Sequence, residues 1–225
     1  MKNKLLAPYD WFLIVGIIAV NLIYNILADE IDILGSVAGI AGVLCVVLVA
    51  KGSILNYLFG LINVSLYAYI SFEATAYGDA ALNALYYLPM QFIGYFAWKR
   101  RVNDTQVQAR RLTLLQRLLV AVGCAVAVVA VAFILKACGA GQPFKDSATT
   151  VLSVVAQILM AMAFMEQWVL WILTNIISVV MWVIFALEGE PHAEMMVIMW
   201  VFYLMNSING LRVWLKLSGG SEAQH

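Results

Sequence analysis

About eight apolar runs, each roughly 18–22 residues long, succeed one another with only short polar breaks, and this succession limits the possible folds more than any other feature. A run of that length crosses about 30 Å of hydrocarbon as a helix, and a helix satisfies its own backbone polar groups where no water is present. Of the 225 residues, 64% are hydrophobic and 12% charged, where a soluble domain carries roughly 45–50% and 25%. The sequence therefore predicts an all-α integral membrane protein. Its spans lie near Asp10–Leu27, Ile33–Ala50, Ser53–Phe72, Gly78–Trp98, Leu118–Lys136, Ser147–Phe164, Gln167–Leu187 and Glu194–Leu215. The first run follows Lys2 and Lys4 but lacks a small-residue cleavage site, so it reads as a retained, extra N-terminal transmembrane helix rather than a secretory signal.

Basic residues set the orientation. With both termini cytoplasmic, the inner side holds Lys2, Lys4, Lys51, Lys99, Arg100, Arg101, Arg110, Arg111, Arg117, Arg212 and Lys216, and the outer side only Lys136 and Lys145. The acids sort the other way, with Asp29, Glu30, Asp32, Glu73, Asp79, Asp146, Glu188, Glu190 and Glu194 on outer loops, an arrangement that suits either plain solvation or steering of a cation. The formal net charge of zero thus conceals a polarised molecule. The basic Lys99–Arg117 loop is expected to lie against anionic lipid headgroups; nucleic-acid binding is the poorer reading, because any such protein needs a positive inner loop.

Little supports enzymatic chemistry. His192 sits in an outer loop and His225 at the tail, and Cys45, Cys124 and Cys138 fall on separate segments without ligand spacing. No nucleophile–base pair, metal cluster or phosphate-binding glycine loop is visible, so neither metal nor cofactor is expected.

The runs are internally repetitive. At an offset of about 112 residues Phe59 meets Trp171 and Asn63 meets Asn175; at about 116, Tyr86 meets Phe202, Tyr87 meets Tyr203, Gly94 meets Gly210 and Trp98 meets Trp214. Three spans form each copy and one lies between them, so both copies enter the membrane in the same direction. The expected architecture is two parallel three-helix repeats joined by a linking helix, the 3+1+3 plan of SWEET transporters. The segments are 1–30 (extra helix), 31–98 (first bundle), 99–146 (basic loop and linking helix), 147–217 (second bundle) and 218–225 (a tail expected to be disordered).

Particular runs carry a family resemblance. The stretch Asn56-Tyr57-Leu58-Phe59-Gly60-Leu61-Ile62-Asn63, then Tyr77-Gly78-Asp79, Tyr86-Tyr87-Leu88-Pro89-Met90-Gln91 and Glu166-Gln167-Trp168-Val169-Leu170-Trp171-Ile172-Leu173-Thr174-Asn175 resemble the PnuC family of nicotinamide riboside transporters, over about residues 33–216. The resemblance implies a seven-helix core, a homotrimer, and facilitated uptake of nicotinamide riboside across the bacterial inner membrane, with trapping by phosphorylation inside the cell.

Helix faces point to a solute site independently of that resemblance. Phe59, Asn63 and Tyr67 share one face of the third span, and Trp171, Asn175, Ser178 and Trp182 one face of the seventh. Tyr87 and Gln91 on the fourth span, with Tyr95, and Tyr203, Asn206 and Asn209 on the eighth supply facing walls. Amides both donate and accept, which suits ribose hydroxyls and a carboxamide, while Trp and Tyr rings stack on a pyridinium, Trp182 being the best placed. For any single Asn, interhelical glue and ligand contact fit equally well. If every such Asn were glue, the chain would be an assembly or receptor protein; thiamine or another nucleoside is the rival cargo.

Trp98, Trp214 and Trp168 near the cytoplasmic ends are expected in an aromatic belt, and Glu166 and Glu188 at the water interface. Gly60, Gly94 and Gly210 should permit close helix contact, and Pro89 should kink the fourth span. No titratable group is expected at mid-depth, which favours uncoupled transport.

Overall fold

The computed structural model describes residues 7–27, 33–73, 75–103, 106–139, 141–189 and 193–219. Lys2, Lys4, Asp29, Glu30, Asp32, Glu190, His192, His225 and residues 220–225 lie outside the described residues.

All eight apolar runs are helical. They form α1 (Pro8–Leu27), α2 (Ile33–Ala50), α3 (Asn56–Glu73), a segment made of α4 (Tyr77–Ala81), a π-helical turn (Leu82–Tyr87) and α5 (Leu88–Lys99), then α6 (Leu114–Ala137), α7 (Pro143–Ala161), α8 (Gln167–Leu187) and α9 (Ala193–Gly219). Among the described residues, α1, α2, α6, α8 and α9 are long and apolar enough, by length and composition, to cross a membrane.

Local chemistry sets the ends. Pro143 occupies the first turn of α7, where its missing N–H has no intrahelical partner to lose. α6 begins at Leu114 rather than Leu118 because Thr113 and Gln116 form a reciprocal capping box. Ser218 and Gly219, expected in the tail, continue α9, and the Ser218 hydroxyl donates to the Trp214 carbonyl at 2.8 Å.

The π turn precedes Pro89, whose ring would clash with a carbonyl one α-turn back; a widened turn relieves that clash. The kink expected at Pro89 thus takes the form of six residues of π-helix on its N-terminal side.

Helix packing defines two groups. α2 packs most extensively on α3, and α5 also packs on α3; α8 lies between α7 and α9, packing most extensively on α9. The groups meet along two seams, α2 against α9 and α5 against α7. α1 lies on both α2 and α9, and α6 leans on α7.

The described residues between α5 and α6 form a strap. It contains a short antiparallel hairpin, β1 (Val102–Asn103) with β2 (Gln106–Val107), and then hydrogen-bonds across the adjoining helix ends. Val107 N–H donates to Gly52 carbonyl and Arg110 N–H to Ala163 carbonyl, both at 2.8 Å. Arg111 donates to the Ser218 hydroxyl at 2.9 Å and the Leu215 carbonyl at 3.1 Å, and Arg117 pairs with Glu166 at 2.9 Å. Within this segment and the first turn of α6, Arg110 lies over the Phe164 ring, Arg111 meets a carbonyl at the end of α9, where the last turn leaves acceptors unpaired, and Arg117 meets the Glu166 carboxylate.

Candidate solute site

Matching contacts recur in the two halves. α2 ends with Gly52 at φ +66° and α7 with Ala163 at φ +60°. Each is the left-handed residue of a Schellman cap: Ser53 N–H reaches Leu48 carbonyl and Gly52 N–H reaches Val49 carbonyl, just as Phe164 reaches Leu159 and Ala163 reaches Met160.

Four aromatic rings then join the halves. The Trp98 indole of α5 donates to the Met160 carbonyl of α7 at 2.8 Å, and the Trp214 indole of α9 donates to the Val49 carbonyl of α2 at 2.9 Å. The two indoles contact each other at 5.6 Å between centroids; Tyr57 stands edge-on to Trp98 at 5.2 Å and Trp168 edge-on to Trp214 at 6.2 Å. Trp98 and Trp214 are 0% exposed and Trp168 2%. These tryptophans therefore form a buried plug between the helix groups, not the headgroup belt that their position near the chain's polar breaks suggests.

Glycines make the plug possible. A Cβ at Gly94 would collide with the Tyr57 ring, one at Gly210 with the Trp168 ring, and one at Gly60 with the Gln91 amide oxygen. The close contact expected at these three glycines is present.

The matched pairs Val49/Met160, Gly52/Ala163 and Tyr57/Trp168 share a register one residue shorter than the Asn63/Asn175 alignment. The neighbours of the two asparagines explain the difference. Asn63 donates to the Ala38 carbonyl of α2 at 2.8 Å, whereas Asn175 donates to Ser207 of α9 at 2.7 Å, so they face different sides of their helices.

The remaining residues named from the sequence divide into tied and untied groups. Ser207, bonded to Asn175, donates onward to the Tyr203 carbonyl at 2.9 Å. Gln91 donates to the Tyr87 carbonyl at 3.3 Å and Asn206 crosses to the Val46 carbonyl of α2 at 3.1 Å. Both amides keep a buried oxygen, Gln91 Oε1 and Asn206 Oδ1, with no partner. Because each nitrogen is held by a carbonyl, the free end of each amide must be the acceptor.

Tyr203 packs against the cluster that contains Val43 and Val47, and Tyr87 meets the Ser153 side chain. Ser178 is buried. Phe59, Trp171, Trp182 and Asn209 are half-buried, and Trp182 lies edge-on to Phe185 at 5.5 Å. Tyr67 is 50% exposed, since the packed face of α3 is the neighbouring one bearing Tyr57, Gly60 and Val64.

Sequence reasoning passed over Tyr57, Cys45, Gln157 and Thr174. Tyr57 hydroxyl, Gln157 Nε2 and Thr174 Oγ1 are buried and unpartnered, and Cys45 Sγ approaches Gly60 beside the Gln91 oxygen. A clue was present in the glycines: Gly60 and Gly94 mark where side chains from another helix must pass. Among the described residues there is no His, Cys, Asp and Glu group able to hold a metal ion.

Comparison with known proteins gives one answer. The family model described as nicotinamide mononucleotide transporter matches residues 32–216. The chain is 40% identical over 214 residues to the nicotinamide riboside transporter PnuC of Neisseria mucosa, covering 92% of this chain and 80% of that protein. It is 38% identical over 188 residues to PnuC of Haemophilus influenzae, covering 82% and 80%. A crystal structure of the vitamin B3 transporter PnuC resembles the fold with a TM-score of 0.78 at 35% identity, covering 95% of this chain and 93% of that one. These relatives are transporters rather than enzymes. A family model matching most of the chain, relatives this similar and a shared multi-pass fold agree: the chain belongs to the nicotinamide mononucleotide transporter family.

Proposed function

We propose that this protein carries nicotinamide riboside across the bacterial inner membrane by uncoupled facilitated diffusion, with both termini in the cytoplasm. The observation that supports this reading most directly is the pair of buried, unpartnered acceptors, Gln91 Oε1 and Asn206 Oδ1, contributed by α5 and α9. An unpaired buried acceptor costs about 1–3 kcal/mol, and a solute that donates hydroxyl or carboxamide protons relieves that cost. The reading also takes the relatives' cargo as this chain's own.

In this proposal α2 to α5 and α7 to α9 are two parallel three-helix bundles and α6 is the linking helix. The matched caps and the reciprocal Trp98 and Trp214 hydrogen bonds support that arrangement. The cargo sits between the bundles, its hydroxyls on Gln91, Asn63, Asn175, Ser178, Asn206 and Asn209, its pyridinium against Phe59, Tyr67, Tyr87, Trp171, Trp182 or Tyr203. A homotrimer in the lipid bilayer is part of the same proposal and rests on the family resemblance.

The family's description favours a second cargo, nicotinamide mononucleotide. Its phosphate would need a cation at depth, and the described Lys and Arg residues of the helices sit near helix ends. Uptake of labelled nicotinamide riboside into proteoliposomes, with and without proton and sodium gradients and against unlabelled thiamine and nicotinamide mononucleotide, tests the proposal. Dependence on either gradient, or stronger competition by either rival, would defeat it.

A further inference from the structure

We infer that the two bundles part along the α5–α7 seam and hinge along the α2–α9 seam, with α1 acting as the clamp that fixes the hinge; this rests on the carrier reading above.

The seams are built differently. Two cross-bundle hydrogen bonds hold α9 to α2, from Asn206 to Val46 and from Trp214 to Val49. α1 is laid over both helices. Its Tyr9 hydroxyl donates to the Met205 carbonyl of α9 at 3.1 Å, Phe12 packs on Phe202 at 5.7 Å, and Gly16 admits the Phe202 ring so closely that a Cβ there would collide with it. On the other side Asp10, 0% exposed, pairs with Lys51 just beyond α2 at 2.6 Å, and Asn21 reaches Gly39. Leu13, Ile14 and Ile17 share one buried cluster with Val43 and Val47 of α2. Because α1 is fastened to both helices, separating α2 from α9 would break either its Tyr9 and Phe12 contacts with α9 or the buried Asp10–Lys51 pair beside α2, so the seam is suited to rotate rather than open.

No described helix packs substantially against both α5 and α7. That seam is held by Trp98 on Met160 and by Tyr86, whose hydroxyl donates to the Val154 carbonyl at 2.6 Å. Tyr86 itself stands in the π turn, ahead of Pro89, where the helical hydrogen-bond ladder is widened and one donor is missing. Bistable helix segments of this kind absorb the dihedral changes of a hinge or gate. One seam is therefore braced by a third helix, and the other contains the π turn ahead of Pro89.

The test uses the full chain in a background where Cys45, Cys124 and Cys138 are replaced and nicotinamide riboside uptake is retained. Tyr86→Cys with Val154→Cys, and separately Tyr9→Cys with Met205→Cys, are bridged by a short bifunctional thiol reagent. Bridging the first pair should reduce uptake roughly tenfold or more, reversibly with reductant, while bridging the second leaves it within about twofold. Loss of uptake with the second bridge, or full uptake with the first, overturns the inference. Spin labels at exposed sites give a measurement independent of the first pair's folding. On adding nicotinamide riboside, the Leu85–Ile158 distance should change and the Val37–Ile208 distance stay fixed. The reverse pattern overturns the inference. If the unbridged protein neither binds nor carries nicotinamide riboside, the carrier reading fails first, a result distinct from either bridge result.

Discussion

Replacing Trp98 or Trp214 with Phe isolates what the buried plug contributes. Each change removes one indole N–H donation, at 2.8 or 2.9 Å, from a side chain with no exposed surface. The net loss from such a bond is about 0.5–1.5 kcal/mol. It stays in that range because the acceptor carbonyls are not orphaned: Met160 still receives Ala163 N–H, and Val49 still receives Gly52 N–H. Exchanging indole for phenyl leaves a small void that adds about 1 kcal/mol. The sum, about 1.5–2.5 kcal/mol, corresponds to an apparent melting shift of about 3–10 °C in a chain of this size. Because the two rings touch at 5.6 Å, the double replacement should fall short of additivity by about 0.5–1.5 kcal/mol. Intrinsic-fluorescence melting of the purified protein in detergent, at one fixed scan rate, provides the readout. Shifts below about 1 °C for both single variants, or strict additivity in the double, would refute the idea that these indoles bolt the helix groups together.

Three further outcomes follow from the geometry. Gly210→Ala should destabilise by about 1–3 kcal/mol, because its Cβ would meet Trp168 ring carbons at 2.5–2.6 Å and that ring is boxed in by Trp214; an unchanged melting temperature would contradict this packing. Gly52→Ala should cost about 1–2 kcal/mol through the left-handed backbone at φ +66°, measured in the same way, whereas Ala163→Gly relieves the same strain and should not lower stability by more than its lost methyl contributes. Gln91→Leu should leave stability intact or raised, since it deletes an unpaired buried oxygen, yet weaken nicotinamide riboside binding by about 5- to 100-fold in titration calorimetry; undiminished affinity would remove Gln91 from the site.

The helices were legible from the sequence because their cause is local. A long apolar run in lipid has few backbone options, and all eight runs are helical; a capping box extends the start of α6 and an N-terminal proline that of α7, while α3 begins at Asn56, three residues later than expected. What helix periodicity could not reveal was which neighbour each face meets. Asn63 and Asn175 look equivalent in spelling, yet one binds α2 and the other α9. Trp98, Trp168 and Trp214 have the chain position of belt residues, and only the approach of α7 and α2 turns them inward. The strap from Val102 to Leu112 offered only its charge to the reader of the sequence; its hydrogen bonds depend on helix ends distant in the chain.

That strap limits how far the two helix groups can move apart. Val107 is fastened at Gly52 and Arg110 at Ala163, so three residues of backbone join the C-terminal ends of α2 and α7. Fully stretched, they reach about 10 Å. While both fastenings hold, the peptide is a leash whose length caps how far the ends of α2 and α7 can separate. A wider separation must first release one end, so the carrier motion proposed above would meet a threshold rather than proceed smoothly.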